Sequence, residues 1–211
     1  MTGADATQGT VFVVDDDPSV RKGLARLIRS AGLCAEAFAS AEEFMHRMAR
    51  GARGCLVLDV QMPGLTGLEL QDALARLPHS MPIIFITGHG DIPMGVRAMK
   101  KGAVDFLSKP FDDHELLDAI VVAIRRDRQT QERRSLTESI RARINSLTPR
   151  ELEVMTLVTA GYPNKHIGTE LGISEKTVKV HRGRVMRKMA VNSLAELVRD
   201  CEKLARGAAR T

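Results

Sequence analysis

Short apolar runs alternate with longer amphipathic stretches through the first 125 residues. Val11-Phe12-Val13-Val14 and Cys55-Leu56-Val57-Leu58 are four-residue apolar runs closed by acids. Runs of this kind read as strands buried on both faces of a parallel sheet. Residues 18–31 place Val20, Leu24, Leu27, Ile28 and Ala31 on one helical face, and Gly32 ends that helix. Alternation at Cys34, Glu36 and Phe38 predicts a second strand. Ser40 to Glu43 has capping-box spacing for a helix that stops near Gly51. The pattern continues as strand 54–59, helix 67–76, strand 82–87, helix 92–101, strand 103–107 and helix 112–125. Five strand–helix units predict an α/β doubly wound (βα)5 domain over residues 10–124, after a disordered stretch at 1–9.

The period then changes. Residues 125–145, rich in Arg, Gln and Glu, predict a helical linker whose stripe of Leu136, Ile140, Ile144 and Leu147 faces either its own second domain or another copy. Thr148-Pro149-Arg150-Glu151 is a capping box with proline at the first helical position. It opens a helix that runs to Gly161. A short helix at 164–171, the turn Gly172-Ile173-Ser174 and a longer helix at 175–189 make a helix-turn-helix pattern. A last helix starts after Ser193, so an all-α domain spans 146–206 with a tail at 207–211.

With 211 residues and 23.1 kDa, the chain suits two ordinary domains. The net charge of +5 conceals an asymmetry: residues 1–124 carry −4 and residues 125–211 carry +9. Only the second domain is therefore expected to meet a polyanion. No apolar stretch is long enough to span a bilayer, and Met1 to Gly9 lack the features of a leader, so a cytoplasmic protein without membrane partners is expected. Cys34, Cys55 and Cys201 are widely spaced; Cys34 and Cys55 lie in apolar runs and read as buried free thiols. The six histidines show no metal-ligand helical spacing.

The polar groups that close the strands carry the candidate chemistry. Asp15 and Asp16, Asp59 and Lys109 each follow an apolar run, and open parallel sheets gather their sites at the carboxyl ends of strands. Oxygen ligands suit a hard cation such as Mg²⁺, with Mn²⁺ as an alternative, and a carboxylate beside a cation can accept a phosphoryl group. Asp59 is the candidate nucleophile, with Asp16 and Asp59 as metal ligands and Asp15 acting through a metal-bound water. Lys109 and the Thr87 hydroxyl are placed to contact the phosphoryl oxygens. A rival reading takes Asp15-Asp16-Asp17 as the Asp-x-Asp of a phosphatase with Asp15 as nucleophile.

Val13-Val-Asp-Asp-Asp17, Leu58-Asp-Val-Gln-Met-Pro-Gly64, Ile86-Thr-Gly88 and Lys109-Pro-Phe111 together resemble the receiver domain of two-component response regulators. The resemblance implies a sensor histidine kinase as phosphodonor, the backbone carbonyl of Gln61 as a further metal ligand, and a cis Lys109-Pro110 peptide. It also implies Phe106 as an aromatic that turns inward on phosphorylation, and a homodimer formed through the 92–124 face. Gln61 and His89 would tune the lifetime of the acyl phosphate.

Leu147 to Val154, Asn164-Lys165, Leu171 to His181 and Lys188-Met189 resemble the LuxR-type helix-turn-helix of the FixJ and NarL group. The implied partner is duplex DNA, with RNA polymerase as a further candidate. Lys179 and Val180 match base-contacting positions of that group, and Lys176, Arg182 and Arg184 extend the basic face. Lys165, Thr177 and Arg187 read as phosphate contacts. Gly183 departs from members with a long side chain there, and Gly168 and Pro163 are unusual in the first helix of the motif.

Overall fold

A computed structural model describes residues 9–48, 51–77, 81–88 and 92–208. His89, most of the 1–9 stretch expected to be disordered and most of the 207–211 tail lie outside these. The chain divides into two compact units, residues 1–131 and 132–211.

In the first unit, β1 (Thr10–Val14), β2 (Ala35–Phe38), β3 (Gly54–Asp59), β4 (Ile83–Thr87) and β5 (Asp105–Ser108) form a parallel sheet in the order β2-β1-β3-β4-β5. The helices α1 (Pro18–Ser30), α2 (Ala41–Met48), α3 (Gly67–Ala75), α4 (Ile92–Lys100) and α5 (Asp113–Asn145) alternate with the strands. Strand pleating splits the core into two layers. Phe12, Val14, Leu56, Leu58 and Phe85 pack toward α2, α3 and α4. Val11, Val13, Val57, Ile84 and Ile86 pack toward α1 and α5. β3 and β4 are buried throughout and β1 at all but Thr10, whereas most positions of β2 and β5 are partly exposed because each borders a single neighbour.

One expectation needs correction. Cys34 is exposed, because it precedes edge strand β2 rather than lying within it. The helix expected at 112–125 and the helical linker expected at 125–145 run together as one element, α5, since 113–145 contains neither glycine nor proline to interrupt it.

The second unit holds α6 (Pro149–Thr159), α7 (Asn164–Leu171), α8 (Glu175–Met189) and α9 (Leu194–Ala208). Thr148 and Glu151 form the expected capping box at the start of α6. Gly172, at φ 65°, closes α7 in a left-handed cap, and the Ser174 hydroxyl accepts the Thr177 amide to start α8. Val154, Ile167, Val178, Val185, Met189 and Leu197 form its core. Ile140, near the end of α5, is 1% exposed in that same core, with Ile144 and Leu147 packed against it. Three of the four stripe residues are thus used within their own unit; Leu136 is exposed.

Candidate functional site

At the carboxyl edge of the first unit, the ends of β1, β3 and β5 bring three charged groups into contact. Lys109 Nζ donates to Asp15 Oδ2 at 2.8 Å and to Asp59 Oδ1 at 2.9 Å. Both carboxylates are buried. The Gln61 amide donates to Asp59 Oδ2 at 2.9 Å, so each Asp59 oxygen has a donor. Asp15 is held as fully: its Oδ1 accepts the Asp17 amide at 2.9 Å, and its carbonyl accepts Arg21 Nη1 at 2.6 Å. Thr87 is buried at the end of β4, and its carbonyl accepts the Lys109 amide at 2.7 Å. The Lys109–Pro110 peptide is cis. Gly67 lets α3 begin directly against the Asp59 carbonyl, where a β-carbon would collide with backbone.

The electrostatics are strained. Burial pushes the Asp59 carboxyl above its ordinary value; Lys109 opposes the shift and the Asp15 charge adds to it. Burial works against the Lys109 ammonium, yet its hydrogen bonds to Asp15 and Asp59 prevail and raise it. One ammonium is shared by two buried carboxylates.

Asp16, the other expected metal ligand, is exposed at the rim. Among the described residues, no three carboxylate, imidazole or thiol groups stand preassembled around a cation position. The donor chemistry nevertheless fits a hard divalent cation: two buried carboxylates, a third acid adjacent in the chain, and a shortage of positive charge. Phe106 is half-buried on β5, its ring 6.2 Å from that of Phe85 and packed beside Gly95. Ile92, Val96 and Met99 form an exposed apolar stripe on α4. Met99 is therefore not the core filler its type suggests.

On α8 the expected contact residues fall into two groups. Lys176, Lys179, Val180, Arg184 and Arg187 are exposed, as is Lys165 on α7. Lys179 stands 3.6 Å from Glu175, a loose surface pair that leaves it available. Arg182 instead donates to Asn164 Oδ1 at 2.6 Å and ties α8 to α7, and the Thr177 hydroxyl lies 2.8 Å from that of Ser174. Lys188, part of the same basic run, is tied inward to the Ser146 carbonyl at 2.9 Å and to buried Glu151 at 2.6 Å. Tyr162 stacks on His166 with ring centroids 4.6 Å apart and planes 12° from parallel. Sequence reasoning missed Arg21, the Glu151–Lys188 pair and the Arg182–Asn164 strut. Each joins residues whose types have ordinary uses at a helix surface.

A parallel five-stranded sheet with acids and a lysine at its carboxyl edge, followed by a helix-turn-helix unit, defines a phosphoacceptor regulator of transcription. A family model for the response regulator receiver domain matches residues 11–121, and one for bacterial regulatory proteins of the luxR family matches 145–200. Nodulation protein W of Bradyrhizobium diazoefficiens is 54% identical over 199 residues, covering 94% of this chain and 88% of that protein. The response regulator TodT of Pseudomonas putida is 47% identical, covering 92% and 86%. Among solved structures, the response regulator StyR superposes with a TM-score of 0.85 at 49% identity, covering 93% of this chain and 99% of that one. Full-length FixJ from B. japonicum gives 0.58 at 43%, covering 95% and 99%. The chain belongs to the response regulators that carry a LuxR-type helix-turn-helix, whose family function is phosphorylation-dependent control of DNA binding and transcription. As in that family generally, it is a phosphoacceptor and transcription factor rather than a conventional enzyme. No described helix is long and apolar enough to cross a membrane.

Proposed function

We propose that Asp59 accepts a phosphoryl group from the phosphohistidine of a sensor kinase. The observation that carries this reading is the Asp59 carboxylate at the end of a central strand, 2.9 Å from the Lys109 ammonium and sharing it with Asp15. In the transfer an Asp59 oxygen attacks phosphorus in line. The P–O bond forms as the P–N bond breaks, and the histidine ring recovers a proton. Lys109 then turns from the carboxylates to the phosphoryl oxygens, and the Thr87 hydroxyl donates to them. Asp16, Asp59 and the Gln61 carbonyl would hold Mg²⁺ or Mn²⁺, with Asp15 acting through water; the cation supplies charge neutralisation when bound. The same constellation lets the protein catalyse its own phosphorylation by small donors and its own dephosphorylation.

Movement of Thr87 toward the phosphoryl group draws Phe106 inward on the adjacent strand. The 92–124 face, with Ile92, Val96 and Met99 exposed on it, then pairs with a second copy. The paired proteins bind operator DNA through α8, with Lys179 and Val180 at base edges and Lys176, Arg184, Arg187 and Lys165 along the backbone. RNA polymerase is the downstream partner, and the whole cycle runs in the cytoplasm. Incubation with Mg²⁺ and acetyl phosphate tests the core of the reading: the wild type becomes labelled and Asp59→Asn does not. Undiminished labelling of Asp59→Asn overturns the assignment and returns attention to Asp15.

A further inference from the structure

We infer that Arg21 is a positioning residue for the acid turn that holds the divalent cation. The inference rests on the reading of Asp15, Asp16 and Asp59 as the cation's carboxylates. Arg21 lies on the first turn of α1, four residues after the helix cap Asp17, and its own amide bonds the Asp17 carbonyl at 3.0 Å. An arginine there ordinarily extends into solvent. This one is half-buried and turns back across the helix start, where Nη1 donates to the Asp15 carbonyl at 2.6 Å.

That carbonyl belongs to the peptide linking Asp15 to Asp16, so the bond fixes the plane from which the Asp16 side chain departs. The other polar atoms of Asp15, and the Asp17 amide and Oδ1, are committed elsewhere. The Asp15 amide donates to Phe38 O, its Oδ1 accepts the Asp17 amide, its Oδ2 accepts Lys109, and Asp17 Oδ1 accepts the Ser19 and Val20 amides. Arg21 is thus the donor that holds the Asp15–Asp16 peptide itself. It also brings a permanent positive charge to a turn carrying three consecutive acids, without occupying a carboxylate oxygen that the cation needs. A lysine could supply the charge, but its rotatable ammonium lacks the planar fork that reaches back with fixed direction.

The test separates cation affinity from phosphoryl-transfer rate in the full-length protein. Mg²⁺ binding is followed by calorimetric titration, with no phosphodonor present, for wild type, Arg21→Ala, Arg21→Gln and Arg21→Lys. Losing an outer contact of this kind should weaken Mg²⁺ binding by on the order of tenfold in Arg21→Ala. Arg21→Gln should be weakened similarly, and Arg21→Lys less. Labelling by acetyl phosphate at saturating Mg²⁺ should proceed in Arg21→Ala at close to the wild-type maximal rate. Circular dichroism of each variant identifies any that has unfolded, and the conservative Arg21→Lys and Arg21→Gln forms then decide. Unchanged Mg²⁺ affinity in the folded variants overturns the inference, as does a lowered maximal rate with unchanged affinity. Failure of the wild type to label at Asp59 sinks the phosphoacceptor reading instead, and the calorimetric comparison still reports on Arg21.

Discussion

Folding moves the Asp59 carboxyl from water into a site where two acids share one ammonium, and the pH dependence of stability carries the sign of that move. A carboxyl raised on folding contributes most below its ordinary value of 3.8, and the contribution is lost as pH rises through the raised value. Asp59→Asn keeps the shape and removes the charge. It should therefore stabilise the first unit at neutral pH and flatten its stability profile just above pH 3.8, as read by denaturant unfolding; a variant less stable than wild type at pH 7 would contradict this. Glu151 has the opposite sign. Its hydrogen bond with Lys188, reinforced by the Thr148 amide, pulls it down from 4.5 to about 2. Its contribution is complete above pH 4.5 and disappears as pH falls toward 2, so acid should loosen the second unit in that window, and Lys188→Met should reduce the dependence to the part that Thr148 sustains. Thiol chemistry discriminates as sharply. Burial, aided by the Asp127 charge, pushes Cys55 up to about 12, whereas Cys34 is exposed. A thiol reagent at pH 8 should modify Cys34 first and leave Cys55 intact until the unit unfolds.

At the scale of elements, α8 separates readers from struts. Lys179→Ala should cost roughly 1–3 kcal/mol on the true operator and less on random duplex, measured by titration at fixed salt. Arg182→Ala should instead lower the thermal stability of the second unit, because it cuts α8 from Asn164. Equal losses for Lys179→Ala on both duplexes would move base reading to Arg184. The boundaries of α7 and α8 were legible because Gly172 and Ser174 punctuate them locally, and the central strands because their apolar runs admit few other uses. The helical character of 113–145 was legible as well, but not where along α5 one unit gives way to the next. Helix continuity through 125–145 is a matter of missing breakers, whereas the change of unit within it depends on which core each apolar residue finds. Ile140 finds the second one, so Ile140→Ala should destabilise that unit by about 2–5 kcal/mol. The acid–lysine site was readable for a related reason: strand ends assemble by topology alone. Arg21, Arg182 and Lys188 were not, since pattern does not reveal whether a long cation on a helix turns inward.

For the molecule as a whole, the net positive charge lies in residues 125–211, so operator affinity should fall steeply with salt as counterions are released. Phosphorylation should add a concentration-dependent shift in sedimentation, and Val96→Glu should remove that shift without preventing labelling at Asp59; an unaltered shift would place pairing on another surface. The stacked ring of Tyr162 has an optical consequence for all such measurements. The chain has no tryptophan and a single tyrosine, so its near-ultraviolet emission arises almost wholly from one half-exposed ring against His166 at the entrance to α7. Tyrosine fluorescence is therefore a reporter built into the DNA-binding unit and nearly blind to the phosphoacceptor unit. Melting of the first unit should pass almost unseen in emission while circular dichroism records it, and duplex titrated onto the intact protein should change the signal without any attached dye.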